Sequence, residues 1–346
     1  MPNHKIVHCM YAEKFIDPFI DFLENNFDAS QHFFLIKKFK KYEVKFRSNI
    51  KLLDSSIGFL CELLNYFLYL NKAQKIIIHG LFNPRLVLAL FLQPWLLKKC
   101  YWVMWGGDLY FYELRSKTFR SNIYEKIRAF VIKRLGHFVT QIKGDYELAR
   151  EWYGAKGQYH ESFVYQSNLY KEYAISSKQD DSINILVGNS ANPTNNHLEV
   201  FEKLLEYKNE NIQIYCPLSY GNDTHASEIA LRGKELFGGK FIPLLEFMPF
   251  EKYLELLGKI DIAIFAHNRQ QASGNTVTLL GLGKKVFMSS DVTPWSLFTK
   301  LGLFIFDVKK LDISLITEEQ AKRNKKAVAE YFSERNLVNQ LKEIFQ

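Results

Sequence analysis

Short runs of β-branched and aromatic residues alternate along the chain with longer stretches in which apolar residues recur every three or four positions. This alternation is typical of parallel β-sheets covered by helices. The strands predicted in the first half are KIVHCMY, HFFLIKK, KIIIHG, CYWVMWG, HFVTQ and HESFVY. The pattern begins again in the second half with INILVGN, NIQIYCP, KFIPLL, DIAIFAH, KVFMSS and LFIFDV.

A polar segment, residues 171–182 (KEYAISSKQDDS), interrupts the alternation and is typical of a linker. We therefore predict two doubly wound, Rossmann-like domains over residues 1–170 and 183–317. Residues 318–346 keep helical spacing with no strand after them, which predicts a closing helix that packs back across the domain junction. With 346 residues, 47% of them apolar, the chain can fill two cores of ordinary size.

No segment predicts a membrane span or a signal peptide. The longest apolar stretches are broken by Glu62 or Pro94 and are shorter than the ~20 residues that a spanning helix needs. The N-terminal residues MPNHKIVHCMY have no basic segment followed by an apolar region, and they predict a strand and not a signal peptide. The cysteines follow no metal-ligand spacing, and most lie in apolar runs, which predicts a reducing, cytoplasmic compartment.

The positive charge is confined to one half of the chain. Residues 1–165 contain 24 Lys and Arg against 15 Asp and Glu, whereas the remainder contains 21 against 22, for a net charge of +8. An excess restricted to one half predicts an anionic partner for that half, which can be membrane lipid, nucleic acid or a phosphorylated substrate.

Unusual small and polar residues follow four predicted strands. They are His79-Gly80, Gly106-Gly107-Asp108, Gly188-Asn189-Ser190 and the segment from His267 to Thr276. Any one of them can be an ordinary turn. Ligands in open α/β sheets bind beyond the carboxyl ends of the strands, so four such ends in both halves favour a ligand-binding cleft between two sheets.

The residues Ser273 to Thr276 stand at the predicted start of a helix, where free backbone N–H groups and the positive end of the helix dipole attract anions. Arg269, just upstream, can add a forked contact to a diphosphate. An ordinary helix cap beside a surface arginine is the alternative. The second small-polar turn at Asn189-Ser190 favours the anion site.

Several chemistries lack their motifs. The sequence has no G-x-x-x-x-G-K-[ST], no G-x-G-x-x-G after the first strand, no G-x-S-x-G and no Asp-x-Asp. We therefore predict a diphosphate ligand held without a metal or a cofactor. The arrangement is that of a GT-B-like glycosyltransferase, with two doubly wound domains facing across a cleft.

Four blocks of the sequence resemble glycosyltransferase family 56, the 4-acetamido-4,6-dideoxygalactose (Fuc4NAc) transferases. The blocks are IIIHGLFNPRLVLAL, YWVMWGGDLY, INILVGNSANPTNNH and FMPFEKYLELLGKIDIAIFAHNRQQASGNTVTLL. The resemblance implies a dTDP-sugar donor and an undecaprenyl-diphosphate-linked oligosaccharide acceptor of enterobacterial common antigen synthesis. It also implies a peripheral enzyme at the cytoplasmic face of the bacterial inner membrane, without a nucleic-acid partner.

The chain departs from the family pattern at three places. Gly107 stands where the pattern has alanine, Ala272-Ser273 replaces a glycine-containing start, and Asn275 replaces glycine. The last two changes fall in the predicted donor pocket, which leaves the donor sugar open. The other classes left open are a non-transferase that binds a sugar nucleotide, such as an epimerase, and a nucleic-acid-binding protein, whose binding would weaken steeply with salt.

The resemblance and the strand-end positions together assign roles. Asp108 and His79 are the two candidates for the base that deprotonates the acceptor hydroxyl, and neither the choice between them nor inversion or retention follows from the sequence. The predicted acceptor-binding residues are Asn83, Trp105, Gly106, Gly107 and Tyr110. The predicted donor-binding residues are Gly188, Asn189, Ser190, Glu246, Arg269, Gln270, Gln271, Ser273, Gly274, Asn275 and Thr276.

The segment YFYELRSKTFRSNIYEKIRAFVIKRL interleaves basic and aromatic residues, a composition suited to anionic lipid headgroups. We predict that Arg115, Lys117 and Arg120 contact the membrane. The other basic residues of this segment are Lys126, Arg128, Lys133 and Arg134. The alternative is that its apolar positions face the sheet and its charges are merely solvated.

Overall fold

The computed structural model describes residues 5–38, 42–54, 58–172, 178 and 181–346, and these form two compact units. The first unit is Met1–Ser167 together with Glu334–Gln346, and the second is Asn168–Ser333. Each unit is a parallel sheet with helices. The predicted α/β class is confirmed.

The first sheet has seven strands, in the order β3-β2-β1-β4-β5-β6-β7. The strands are β1 (Ile6–Tyr11), β2 (His32–Lys37), β3 (Ile50–Leu53), β4 (Lys75–His79), β5 (Cys100–Val103), β6 (His137–Val139) and β7 (Gln158–His160). The helices of this unit are α1 (Ile16–Asn26), α2 (Phe59–Lys72), α3 (Pro84–Leu92), α4 (Phe111–Leu114), α5 (Phe119–Arg134), α6 (Lys143–Tyr153) and, from the end of the chain, α13 (Glu334–Phe345).

The second sheet has six strands, in the order β10-β9-β8-β11-β12-β13. The strands are β8 (Ile183–Val187), β9 (Ile212–Pro217), β10 (Phe241–Leu244), β11 (Ile262–Phe265), β12 (Lys285–Met288) and β13 (Phe306–Asp307). The helices are α7 (His197–Leu204), α8 (Asp223–Phe237), α9 (Phe250–Lys259), α10 (Ser273–Gly281), α11 (Thr293–Lys300) and α12 (Glu318–Tyr331).

The strand order reverses between β1 and β4 in the first sheet and between β8 and β11 in the second. Such reversals open a crevice at the carboxyl ends of the two strands, because their connections leave on opposite faces. His79 ends β4, Gly188 follows β8 and His267 follows β11. Three of the predicted strand ends therefore lie at the two switch points.

The structure differs from the sequence-based strands in two places. The edge strand β3 (IKLL) has only four residues, and the sequence reading missed it. The predicted strand HESFVY is shifted, because β7 ends at His160 and Val164 adopts a positive φ of 58° that no strand accommodates. The predicted linker 171–182 lies largely outside the described residues.

The predicted single closing helix over 318–346 is two helices. The break falls at Phe332 and Ser333, where the Phe332 side chain is fully buried and its carbonyl accepts the N–H of Tyr170 at 3.0 Å. Asn324 fastens α12 to the second unit by bonding both backbone groups of Phe304. The following helix, α13, belongs to the first unit, where Gln340 Oε1 accepts the N–H of Phe163.

Candidate active site

The carboxylate of Asp108 is 1% exposed and accepts four hydrogen bonds. Oδ2 receives the N–H of Leu81 at 2.9 Å and the indole N–H of Trp102 at 2.6 Å. Oδ1 receives the backbone N–H groups of Trp105 and Leu109 at 2.9 and 3.0 Å. This carboxylate therefore holds together the loops that follow β4 and β5.

Burial raises the pKa of Asp108, and the hydrogen bonds from Leu81, Trp102 and Trp105 oppose that rise because they stabilise the charged form. A general base needs a lone pair within reach of substrate. In this geometry the lone pairs of Asp108 are directed at protein donors. Catalysis by Asp108 stays a prediction, and its observed role is to shape the loop.

His79 is fully buried at the carboxyl end of β4. Its Nδ1 lies 2.6 Å from the Tyr165 hydroxyl, and its Nε2 lies 3.0 Å from Nδ1 of His8. Burial lowers the pKa of His79 to about 3, so the ring is neutral at neutral pH. Its role as base also stays a prediction.

Two of the predicted acceptor residues have internal partners. Asn83 caps α3, since its Oδ1 accepts the N–H of Arg85 at 2.9 Å, and its amide donates to the Tyr66 hydroxyl at 2.8 Å. Tyr110 is buried and donates to Asp145 Oδ1 at 3.3 Å. Both side chains are occupied in shaping the domain, and contact with an acceptor stays a prediction.

The two glycines of the Trp105 loop differ in what they require. Gly106 has a φ of 82°, a left-handed conformation that favours glycine. A Cβ on Gly107 would meet nothing closer than the Phe82 ring at 3.8 Å. Only the first glycine is therefore required by the backbone, and an alanine fits at the second position.

Asn195 organises the carboxyl edge of the second sheet, although it was not among the predicted site residues. It is fully buried, and its Oδ1 accepts the N–H of Asn189 at 2.9 Å and the Nε2–H of His267 at 3.0 Å. Its amide donates to Ser190 Oγ at 3.2 Å. The signal in the sequence was the asparagine-rich run after the Gly188 turn. That signal does not say which asparagine is buried.

Gly188 is required by this packing. Its φ is 69°, and an added Cβ would lie 2.7 Å from His197 Nε2 and 2.9 Å from Asn195 Oδ1. His197 is itself buried, and burial lowers its pKa to about 4. A glycine lets the chain pass directly over these two side chains.

Gln271 joins the two loops that were predicted to bind the donor. Its Nε2 donates to Asn189 Oδ1 at 2.8 Å, and its Oε1 accepts the Thr194 hydroxyl at 2.8 Å. The turn after β8 and the segment before α10 are thus held side by side. The sequence placed both at strand ends, and the structure brings them into contact.

The segment before α10 lines a small pocket that is partly open to solvent. Its lining residues are Phe265, His267, Arg269, Gln271, Ser273, Thr276, Met288, Val292, Pro294 and Phe298. Arg269 lines this pocket, and its guanidinium donates to the Gln270 carbonyl at 3.1 Å. Four of the predicted donor residues therefore lie around one pocket, beside the start of α10.

Three further predicted donor residues, Gln270, Gly274 and Asn275, lie at or next to the first turn of α10. Gln270 donates to Ser273 Oγ at 3.0 Å, and Asn275 donates to the Tyr253 hydroxyl at 3.0 Å. A Cβ on Gly274 would meet no atom within 4 Å, so the helix start is open there. Glu246 is exposed in the segment before α9, outside the residues that line the pocket.

The helix α10 begins after an unusual residue. Ala272 has a φ of 57°, in the left-handed region that alanine rarely adopts. Its carbonyl accepts the backbone N–H of Thr276 at 2.9 Å and the Thr276 hydroxyl at 3.1 Å. The strained residue therefore starts the helix beside Arg269.

Only some residues of the basic segment in the first unit are exposed at the surface. Lys117 and Arg120 are exposed, and Arg115 is half-buried with its guanidinium on the Tyr112 carbonyl. Arg128 belongs to the same basic segment but is not a surface charge, because it is 1% exposed and donates to the Asp108 carbonyl at 2.6 Å. Glu125 pairs with its other nitrogen at 2.9 Å.

The sequence reading missed an apolar surface on α2. Leu60, Leu64 and Leu68 recur every four residues and are 72%, 59% and 58% exposed. Helix α3 packs against both α2 and α5, and α5 exposes Phe119 and Ile123. Within the described residues, no helix is both long and apolar enough to cross a bilayer.

The family and the fold are established by comparison with known proteins. A family model described as 4-alpha-L-fucosyltransferase, glycosyl transferase group 56, matches residues 12–343. Anabaena Alr3699/HepE in complex with UDP is 11% identical with a TM-score of 0.67, over 99% of each chain. Sucrose-phosphate synthase from Thermosynechococcus elongatus is 8% identical with a TM-score of 0.69, over 99% of this chain and 98% of its own.

WaaG, a glycosyltransferase involved in lipopolysaccharide biosynthesis, is 11% identical with a TM-score of 0.60, over 98% of each chain. At these identities the structural likeness shows the fold, which is that of the GT-B glycosyltransferases. The family match covers nearly the whole chain and confirms the resemblance of the four sequence blocks. This protein therefore belongs to glycosyltransferase group 56, the 4-alpha-L-fucosyltransferase family, and is a glycosyltransferase enzyme.

Proposed function

We propose that this enzyme transfers a deoxy-amino sugar of the Fuc4NAc type from a dTDP-sugar to a polyprenyl-diphosphate-linked oligosaccharide. The observation that carries the donor half is the pocket in which Arg269 lies beside the open start of α10. An arginine and free backbone N–H groups suit a diphosphate. The UDP and UDP-glucose complexes of Anabaena HepE support a nucleotide-sugar donor.

The chemistry follows from the charge that develops as the sugar leaves. The bond between the anomeric carbon and the diphosphate breaks, and negative charge grows on the diphosphate oxygens. Arg269 and the N–H groups of Ser273, Gly274 and Asn275 stabilise that charge. Metal independence is part of this proposal and needs its own test.

The acceptor half rests on the first unit. Trp105 and Phe82 lie together with ring centroids 5.6 Å apart, and Gly107 leaves open space beside the Phe82 ring. Aromatic faces of this kind suit the apolar side of a sugar ring. We assign the Trp105 loop to the acceptor oligosaccharide.

A lipid-linked acceptor must be met at a membrane. The leucine stripe of α2 and the exposed Phe119 and Ile123 of α5 offer apolar contact. Lys117 and Arg120 stand beside the latter and suit anionic headgroups. We propose peripheral attachment of this unit to the cytoplasmic face of the bacterial inner membrane.

A donor screen tests the proposal. The enzyme is incubated with a short-chain polyprenyl-diphosphate disaccharide and, one at a time, dTDP-Fuc4NAc and UDP- and dTDP-linked hexoses, with mass detection of the lipid product. We expect transfer from dTDP-Fuc4NAc. Transfer from another nucleotide sugar alone would overturn the donor assignment. Conversion of the free nucleotide sugar without acceptor would instead indicate an epimerase.

A further inference from the structure

A continuous line of hydrogen bonds runs through the interior of the first unit. The indole N–H of Trp105 donates to the Tyr165 hydroxyl at 2.9 Å, and Tyr165 is 2.6 Å from His79 Nδ1. His79 Nε2 is 3.0 Å from His8 Nδ1, and His8 Nε2 is 2.9 Å from His32 Nδ1. We call Tyr165, His79, His8 and His32 the histidine chain.

The histidine chain runs across three neighbouring strands, from the amino-terminal edge of the sheet to its carboxyl-terminal edge. His32 is the first residue of β2, His8 lies in the middle of β1, and His79 is the last residue of β4. These three strands are neighbours, and the rings lie on one face of the sheet, because His8 is in register with Phe34 and Ile77. The carboxyl edge, where ligands bind, is thereby linked to the amino edge.

The chain can hold its protons in two ways. Trp105 only donates, whereas a neutral imidazole has one N–H and one bare nitrogen. In the inward arrangement, the Tyr165 O–H donates to His79 Nδ1 and every histidine carries its proton on Nε2. In the outward arrangement, every histidine carries its proton on Nδ1 and the Tyr165 O–H points away from His79.

We propose that the acceptor hydroxyl gives its proton to Tyr165 and that the histidine chain releases one proton at the amino edge. This inference rests on the proposed transferase function. It selects His79, acting through Tyr165, over Asp108 as the proton acceptor. Tyr165 would be the catalytic residue, and the three histidines act through it.

The protons balance in this step. The acceptor oxygen bonds to the anomeric carbon while the diphosphate leaves with its electron pair, and the hydroxyl proton moves to the Tyr165 oxygen. The Tyr165 proton moves to His79 Nδ1. The Nε2 proton of His79 moves to His8 Nδ1, and the Nε2 proton of His8 moves to His32 Nδ1. The Nε2 proton of His32 passes to water. The chain ends neutral in the outward arrangement. It resets after product has left: His32 Nε2 takes a proton from water, the protons move back along the chain, and Tyr165 gives one proton to the water that replaces product.

A relay suits these residues better than a single buried base. Burial lowers the pKa of His79 to about 3 and that of His32 to about 4, so a charged ring would be costly at either position. Passing the proton onward leaves no ring charged. The carboxylate of Asp28 opposes the lowering at His32, which favours the arrival of a proton at that end.

The backbone holds Tyr165 in place at a cost. Val164 has a φ of 58°, a conformation that is rare for β-branched residues because it is sterically strained. Such strain lowers the stability of the folded state. Its N–H donates to Ser162 Oγ at 3.1 Å, and Gln340 on α13 accepts the N–H of Phe163 at 3.2 Å. These contacts fix the one member of the chain that adjoins the Trp105 loop.

Nuclear magnetic resonance of the full-length enzyme with ¹⁵N-labelled histidine tests the chain directly. We expect the rings of His79, His8 and His32 to share one tautomer. Tyr165→Phe removes the O–H and should shift the ring-nitrogen signals of all three, including the distant His32. A change confined to His79, or three rings with unlike tautomers, would overturn the inference.

The pair His137 and His160 supplies the matched control. These rings are hydrogen-bonded at 2.9 Å on β6 and β7 of the same sheet, outside the bonds that form the chain. Their signals should not move in Tyr165→Phe. With dTDP-Fuc4NAc and the lipid disaccharide, Tyr165→Phe should lower kcat by about a hundredfold, and His32→Gln should lower it as well. His137→Gln should keep the wild-type kcat.

The KM for the donor should stay the same in all three variants, since none of them lies in the second unit. Wild-type kcat in Tyr165→Phe or His32→Gln would exclude the relay. If no donor supports transfer, the proposed function fails and the proton step with it. If transfer occurs but the ring signals are uncoupled, this inference alone fails.

Discussion

The backbone N–H of Trp105 donates to Oδ1 of Asp108 at 2.9 Å, while the indole N–H of the same residue donates to Tyr165 at the same distance. Asp108 therefore determines where Trp105 lies, and Trp105 contacts the group that we propose accepts the proton. Asp108, the most conspicuous acid of the sequence, is therefore two hydrogen bonds away from the Tyr165 hydroxyl.

Asp108→Asn separates the two roles of that carboxylate. Asparagine offers one oxygen and two N–H groups where the structure directs four donors, so we expect the free energy of unfolding to fall by ~2–4 kcal/mol. Chemical denaturation measures it. If turnover instead drops about a hundredfold while unfolding and donor binding stay unchanged, Asp108 is the base that the sequence predicted.

Arg269→Ala should raise the dissociation constant for dTDP by about tenfold or more, because a charged hydrogen bond to the diphosphate is lost. Isothermal titration calorimetry is the measurement. Arg232→Ala is the matched control, since Arg232 lies on α8 of the same unit and pairs with Glu235 at 3.0 Å. Equal weakening in both variants would mean that only net charge matters, and no weakening in either would remove Arg269 from the donor site.

Gly107 and Gly188 should differ sharply in how well they tolerate substitution by alanine. Gly107→Ala should fold and bind donor as the wild type does, because the added Cβ has room. Gly188→Ala should be strongly destabilised, since its Cβ would overlap His197 and Asn195 at a φ of 69°. Thermal melting of the two variants checks this. A stable Gly188→Ala would contradict the packing that we describe around Asn195.

Activity should survive excess EDTA. The sequence has no Asp-x-Asp, and Arg269 with the start of α10 can stabilise a diphosphate without a metal. The product is measured before and after chelation. Complete loss that magnesium or manganese restores would show that a metal carries the leaving group.

Co-sedimentation with liposomes tests attachment of the first unit. Binding should require anionic lipid, weaken in high salt, and fall when Arg115, Lys117 and Arg120 are changed to Glu. The matched control changes Lys143, Arg150 and Lys156 to Glu. It reverses the same amount of charge at three exposed sites of the same unit.

The control variant should bind as the wild type does. Leu64→Glu on α2 should also weaken binding, because it places a charge in the exposed leucine stripe. Equal binding to neutral vesicles, or none to either kind, would refute electrostatic docking.

The sequence alone determined the parallel α/β class, both sets of strand ends and the family. These features are local in sequence. Strand and helix periodicity, the glycines after strands and the four contiguous blocks can each be recognised from neighbouring residues alone. The carboxyl ends of parallel strands fall on one edge whatever the details of packing. For that reason His79, Gly188 and Arg269 could be placed at strand ends, and predicted as site residues, before any fold was known.

Only the tertiary structure decided what those residues contact. Arg128 belongs to a basic stretch in sequence, yet its guanidinium is buried against the Asp108 carbonyl. His8 and His32 carry no motif, and they join His79 because three strands distant in sequence lie side by side. The side-chain orientation and the pairing of strands depend on long-range packing, and no local pattern records them.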